Sequence, residues 1–148
     1  MPENKYENPN EDDYKKFFDE TPVALIRTDL KTGKFLMANR YAAQMLGYES
    51  VQDLKDNGCS VNFYPPEDRK KLISSLRRNG VVEGYEIQLQ VPNKTLWVSA
   101  RMRINCDGTC IEGSLIDITE KVELRTKQLK CLQEVGSKID KKLAALAG

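Results

Sequence analysis

"LIDITEKVEL", residues 115–124, joins two kinds of pattern with no glycine or proline between them. Leu115 to Asp117 read as the end of a β-strand, and from Thr119 the residues take helical spacing. A helix that starts directly on a strand must satisfy its first free amides from within the junction. Asp117 suits that task, Glu120 three residues later completes a capping box with it, and Thr119 lies in the first turn. Asp117 would then belong to the strand and serve the helix, so that a shift of one shifts the start of the other.

Downstream of the junction, apolar residues recur at Ile118, Val122, Leu129, Leu132, Ile139, Leu143 and Leu146, at the a and d spacing of a heptad, with Arg125 and Gly136 as the exceptions. Such a narrow stripe, running through four heptads, predicts a parallel two-stranded coiled coil rather than a helix folded back on its own sheet.

Upstream, three runs alternate at period two. In "VVEGYEIQLQV" (81–91), Tyr85, Ile87, Leu89 and Val91 share a face. In "TLWVSARMRI" (95–104), Leu96, Val98, Ala100, Met102 and Ile104 do so, and in "CIEGSLIDI" (110–118), Ile111, Gly113 and Leu115. "PNK" and "CDGT" are the turns between them. This is an antiparallel meander with one buried face.

The N-terminal half supplies two further short strands in "VALIRTD" (23–29) and "KFLMA" (34–38), which form a hairpin around Gly33. Helices surround this hairpin. "NEDDYKKFFDET" (10–21) reads as an amphipathic helix with Asn10 as a cap candidate. "NRYAAQMLGY" (39–48) is a compact helix capped by Asn39 and stopped by Gly47, and Ser50 caps another turn. "PPEDRKKLISSLRRNG" (65–80) opens on Pro66, carries Glu67 and Asp68 at its positive end and stops at Gly80. Arg69, Lys70, Lys71, Arg77 and Arg78 read as its solvated face.

With 148 residues the chain is long enough for one substantial core. A formal net charge of +1 offers no bulk attraction for nucleic acid, so no nucleic-acid partner is expected. No apolar run reaches the length of a membrane span, and the polar, acidic N-terminus lacks the apolar centre of a signal peptide, so a cytoplasmic location is expected. On that basis Cys59, Cys106, Cys110 and Cys131 are expected to be free thiols. The chain has no histidine, which excludes a Ser-His-Asp triad, a His-ligated haem and a phospho-accepting histidine in it, and no metal site is expected. Neither a nucleophile with its base nor a catalytic carboxylate pair stands out, so this fragment is not expected to be an enzyme.

Four motifs in order resemble the PAS family of sensory domains: "MANRYAAQMLGY" (37–48), "YPPEDR" (64–69), the closing strands in "WVSARMRINCDGTCIEGSL" (97–115), and the D-I-T junction after them. The resemblance runs from about residue 13 to about residue 120. It implies an α+β PAS fold: a five-stranded antiparallel sheet with short helices on one face, an N-terminal helix and a C-terminal signalling helix. The division expected is a disordered segment at 1–12, the PAS domain at 13–118 and the signalling helix at 119–148. The resemblance further implies a sensory or regulatory module of a larger signalling protein, with an effector such as a histidine kinase or diguanylate cyclase in the same polypeptide, working as a homodimer.

PAS ligands lie between the sheet and the short helices, which here implies a small-molecule pocket lined by Ile26, Met37, Met45, Leu46, Phe63, Ile73, Leu89, Val98, Ala100 and Leu115. The alternative is a ligand-free dimerisation module in which those side chains simply pack together. The haem-binding members use a histidine that this chain lacks. The light-oxygen-voltage members hold flavin with a cysteine segment and polar amides on the last strands. Cys59 lies near the first of these, but without the surrounding residues, and Val98 and Leu115 stand where the amides would be, so that form of flavin is not expected. A redox FAD remains compatible with these positions, and Trp97 reads as packing.

Overall fold

The computed structural model describes residues 8–147. The chain falls into two compact units, residues 1–117 and residues 118–148.

The first unit is built on a five-stranded antiparallel sheet of β1 (Ala24–Asp29), β2 (Phe35–Ala38), β3 (Val81–Val91), β4 (Lys94–Asn105) and β5 (Cys110–Asp117). Its order is β2-β1-β5-β4-β3, so the last strand in sequence lies at the centre. The period-two runs pair as their alternation requires: Ala24 lies opposite Leu115, Leu115 opposite Ala100, and Ala100 opposite Tyr85. This row crosses four strands and presents apolar side chains to one face. Gly113 permits the tight pairing at the centre of the sheet, since a side chain there would run into the Arg101 carbonyl and come within 2.8 Å of the Met102 Cα.

Helices α2 (Arg40–Met45), α3 (Val51–Asn57) and α4 (Pro66–Asn79), with a 3-10 turn at Ser60–Asn62, complete the PAS arrangement. Ala42, Ala43, Met45, Leu46, Leu54 and Phe63 join the inner face of the sheet in one core. Leu72 and Leu76 of α4 join Val82 and Ile111 in a second. Phe63 packs against Phe35 and Tyr48, with ring centroids 5.9 and 6.5 Å apart.

Helix α1 (Glu11–Glu20) starts two residues before the boundary placed at residue 13. A capping box fixes it there: the Asp13 amide donates to the Asn10 side chain and the Asn10 amide to the Asp13 carboxylate. The expected disorder before it falls mostly on residues outside those described. Tyr14 and Phe17 are exposed on this helix.

The expectation of four free thiols is corrected at the hairpin between β4 and β5. Cys106 and Cys110 form a disulfide, and only Cys59 and Cys131 are free among the described residues. The turn brings the two Cα atoms to 5.7 Å, inside the range a disulfide spans, and no argument from cellular compartment anticipates that geometry.

The second unit is α5 (Thr119–Ala147), 29 residues long, with no buried residue. The heptad positions Leu129, Leu132, Ile139, Leu143 and Leu146 are all exposed. No helix among the described residues is long and apolar enough to cross a membrane.

Candidate functional site

Eight of the ten residues expected to line a pocket, Ile26, Met45, Leu46, Phe63, Leu89, Val98, Ala100 and Leu115, do come together in the core between sheet and helices. They are packed closely: Val98 is 0% and Leu115 3% exposed. The other two lie elsewhere. Met37 is 40% exposed and lies opposite Arg27, on the other face of the sheet, because the pairing of β1 with β2 shifts register between Arg27 and Thr28. A slip of one residue turns a side chain to the opposite face. Ile73 is half-buried against the second core, beside Leu72 and Leu76.

Asn39 does more than cap α2. It is fully buried, and its Oδ1 accepts from the amides of Leu25 (3.1 Å) and Ala42 (3.0 Å). Its Nδ2 donates to the carbonyls of Thr21 (3.2 Å) and Val23 (2.8 Å). One side chain thereby ties the segment after α1, the start of β1 and the start of α2. Arg69, read from the sequence as part of a solvated basic face, is half-buried and donates to the Leu30 carbonyl at 2.6 Å. Burial raises the pKa of the neighbouring Tyr64 phenol, and the guanidinium of Arg69 opposes that rise.

The outer face of the sheet carries a charged knot. Glu112 on β5 accepts from Arg27 on β1 (Nε, 2.8 Å) and from Arg103 (Nε, 2.9 Å) and Asn105 (Nδ2, 2.7 Å) on β4. Burial pushes the Glu112 pKa up, but the hydrogen bonds from Asn105, Arg103 and Arg27 together outweigh it and hold the carboxyl below the usual glutamate value. Beside the knot is an open trough of about 660 Å³, bordered by Phe18, Leu25, Met37, Val81 and Arg101.

At the junction, Asp117 closes β5 opposite Val98, Ile118 follows, and α5 begins at Thr119. The first hydrogen bond of the helix runs from the Val122 amide to the Ile118 carbonyl at 2.9 Å. Strand and helix are thus separated by a single residue. Among the described residues no group of three or more acidic or sulfur side chains could hold a metal ion.

The family model described as PAS domain matches residues 13–79. This chain has the PAS fold. An RNA-binding light-oxygen-voltage receptor matches with a TM-score of 0.63 and 21% identity over 82% of this chain, which spans only 36% of that receptor. A domain of the sensory box sensor histidine kinase/response regulator from Geobacter sulfurreducens matches with a TM-score of 0.57 and 17% identity, over 79% of this chain and 100% of that one. The RpfR quorum-sensing receptor PAS domain of Cronobacter turicensis, in complex with C12:0, matches at 0.51 and 18%, over 68% of this chain and 97% of that one. At such identities these likenesses establish the PAS fold alone. No curated protein matches the chain in sequence.

Proposed function

We propose that this PAS domain is the regulatory module of a larger cytoplasmic signalling protein, and that it passes its state to an effector through the Asp117–Ile118–Thr119 junction. The observation that carries the reading is the position of β5: the central strand of the sheet ends one residue before a 29-residue helix with an exposed apolar stripe. Two such helices, one from each of two copies, would bury the stripe as a parallel coiled coil, a form suited to driving a paired effector such as a histidine kinase or diguanylate cyclase. The module regulates; it is not itself the catalyst.

Its input is a small apolar or amphipathic molecule seated among the eight core residues. The apolar character of Val98 and Leu115 supports such a ligand over a flavin, whose ring carbonyls would find no hydrogen-bond donor there. The C12:0 in the Cronobacter relative makes an apolar chain a fitting probe. The close packing of that same face favours a second reading, a ligand-free dimerisation module. Native mass spectrometry and an absorption spectrum of the purified chain separate the two. The sensory reading predicts a colourless protein that carries a small bound mass or gains one with C12:0. A bare chain that ignores C12:0 supports the second reading, and a flavin or haem band contradicts both.

A further inference from the structure

We infer that Cys106 and Cys110 form a dithiol–disulfide site that gives the module a redox input separate from its core. The pair sits at the tip of the β4–β5 hairpin. Cys106 is exposed, whereas Cys110 is fully buried. Their roles therefore differ: Cys106 is the sulfur that an external thiol or disulfide can reach, and Cys110 is the internal partner that closes or reopens the ring.

The backbone at the tip is unusual. Cys106 (φ 55°), Asp107 (φ 54°) and Gly108 (φ 87°) lie in succession in the left-handed region, and only the last is a glycine. Two consecutive side-chain-bearing residues there are unfavourable unless something holds them. The Thr109 amide and hydroxyl both donate to the Cys106 carbonyl, at 3.2 and 2.6 Å, and the disulfide closes the turn covalently around them.

The tip is also connected to the charged knot. Asn105 precedes Cys106, pairs with Cys110 in the ladder, and donates to Glu112 at 2.7 Å. Glu112 holds Arg27 on one neighbouring strand and Arg103 on the other. Opening the disulfide frees the turn to leave its left-handed shape, displaces Asn105, and loosens the knot in the middle of β5, the strand that ends at Asp117.

The chemistry balances with a low-molecular-weight disulfide as oxidant. The Cys106 thiolate attacks one sulfur of the external disulfide, bonds to it and expels the other half as a thiolate. The Cys110 thiolate then attacks Cys106 Sγ and expels the second half. Two protein thiols are oxidised, and one external disulfide is reduced to two thiols. Excess external thiol runs the same steps backwards.

The inference deepens the sensory reading, yet its test is read at the hairpin and needs neither core ligand nor effector. The full chain is equilibrated in glutathione buffers of graded reduced-to-oxidised ratio, trapped by alkylation and analysed by mass spectrometry. Cys106 and Cys110 are expected to pass together from doubly alkylated to disulfide-bonded, while Cys59 and Cys131 remain alkylated. Amide exchange over residues 105–117 is expected to speed up about tenfold on reduction, the order of effect expected from releasing a short closed loop. Cys106→Ser/Cys110→Ala should exchange like the reduced form whatever the buffer. A pair that stays reduced in the most oxidising buffer, or two forms of the native chain that exchange alike over 105–117, would overturn the inference and leave the regulatory reading standing.

Discussion

Asn39 has no exposed surface, and both ends of its side-chain amide are used twice. Asn39→Ala leaves two amides and two carbonyls to find new partners, at a cost of about 2–4 kcal/mol, since each group left unsatisfied in a buried setting is expensive. Urea denaturation checks this, with the transition midpoint falling well below that of the native chain. Glu112 carries a pH dependence of known sign. Its folded pKa lies below the ordinary glutamate value of 4.5, so its contribution is fully present above that value and is lost as pH falls through the lowered one. Glu112→Gln should cost about 1–2 kcal/mol at pH 7 and flatten the loss of stability across the acid range, as read from urea midpoints at graded pH. Neither role was legible in the sequence. Asn39 was readable as a helix cap because a cap is local, but its bonds to residues 21, 23 and 25 depend on how the chain returns. Glu112 and Arg27 are 85 positions apart, and alternation alone does not reveal which polar residues on neighbouring strands come level.

At the scale of elements, the three closing strands and their turns were legible because alternation is a direct consequence of a sheet with one buried face. Helix α4 was legible from its proline, its acidic first turn and Gly80. What misled was the assumption of an unbroken period. The register shift in the β1–β2 pairing turns Met37 outward, and α4 carries Ile73 to the second core rather than the first. Of the eight that meet in the core, seven lie on strands whose alternation holds or at helix α2, and Phe63 follows the 3-10 turn. For α5 the stripe itself supports a prediction. Leu132→Glu with Ile139→Glu places charge in the seam of the proposed coiled coil, and sedimentation should show a dimer for the native chain and a monomer for the variant. A native chain that sediments as a monomer at high micromolar concentration would contradict the pairing.

At the scale of the whole molecule, the account rests on one connection. The sheet gathers its core and the charged knot onto β5, and β5 continues into α5 through Ile118 alone. The most direct test of the connection fuses residues 1–148 to a kinase in heptad register and compares the native fusion with Asp117→Ala. Losing a helix cap, the role that the sequence assigns to Asp117, costs about 0.5–2 kcal/mol, small beside the ~5–15 kcal/mol that holds a domain together. The variant should therefore melt cooperatively and close to the native fusion, while its kinase output shifts several-fold. A variant that stays folded and drives the kinase as the native fusion does would contradict the account.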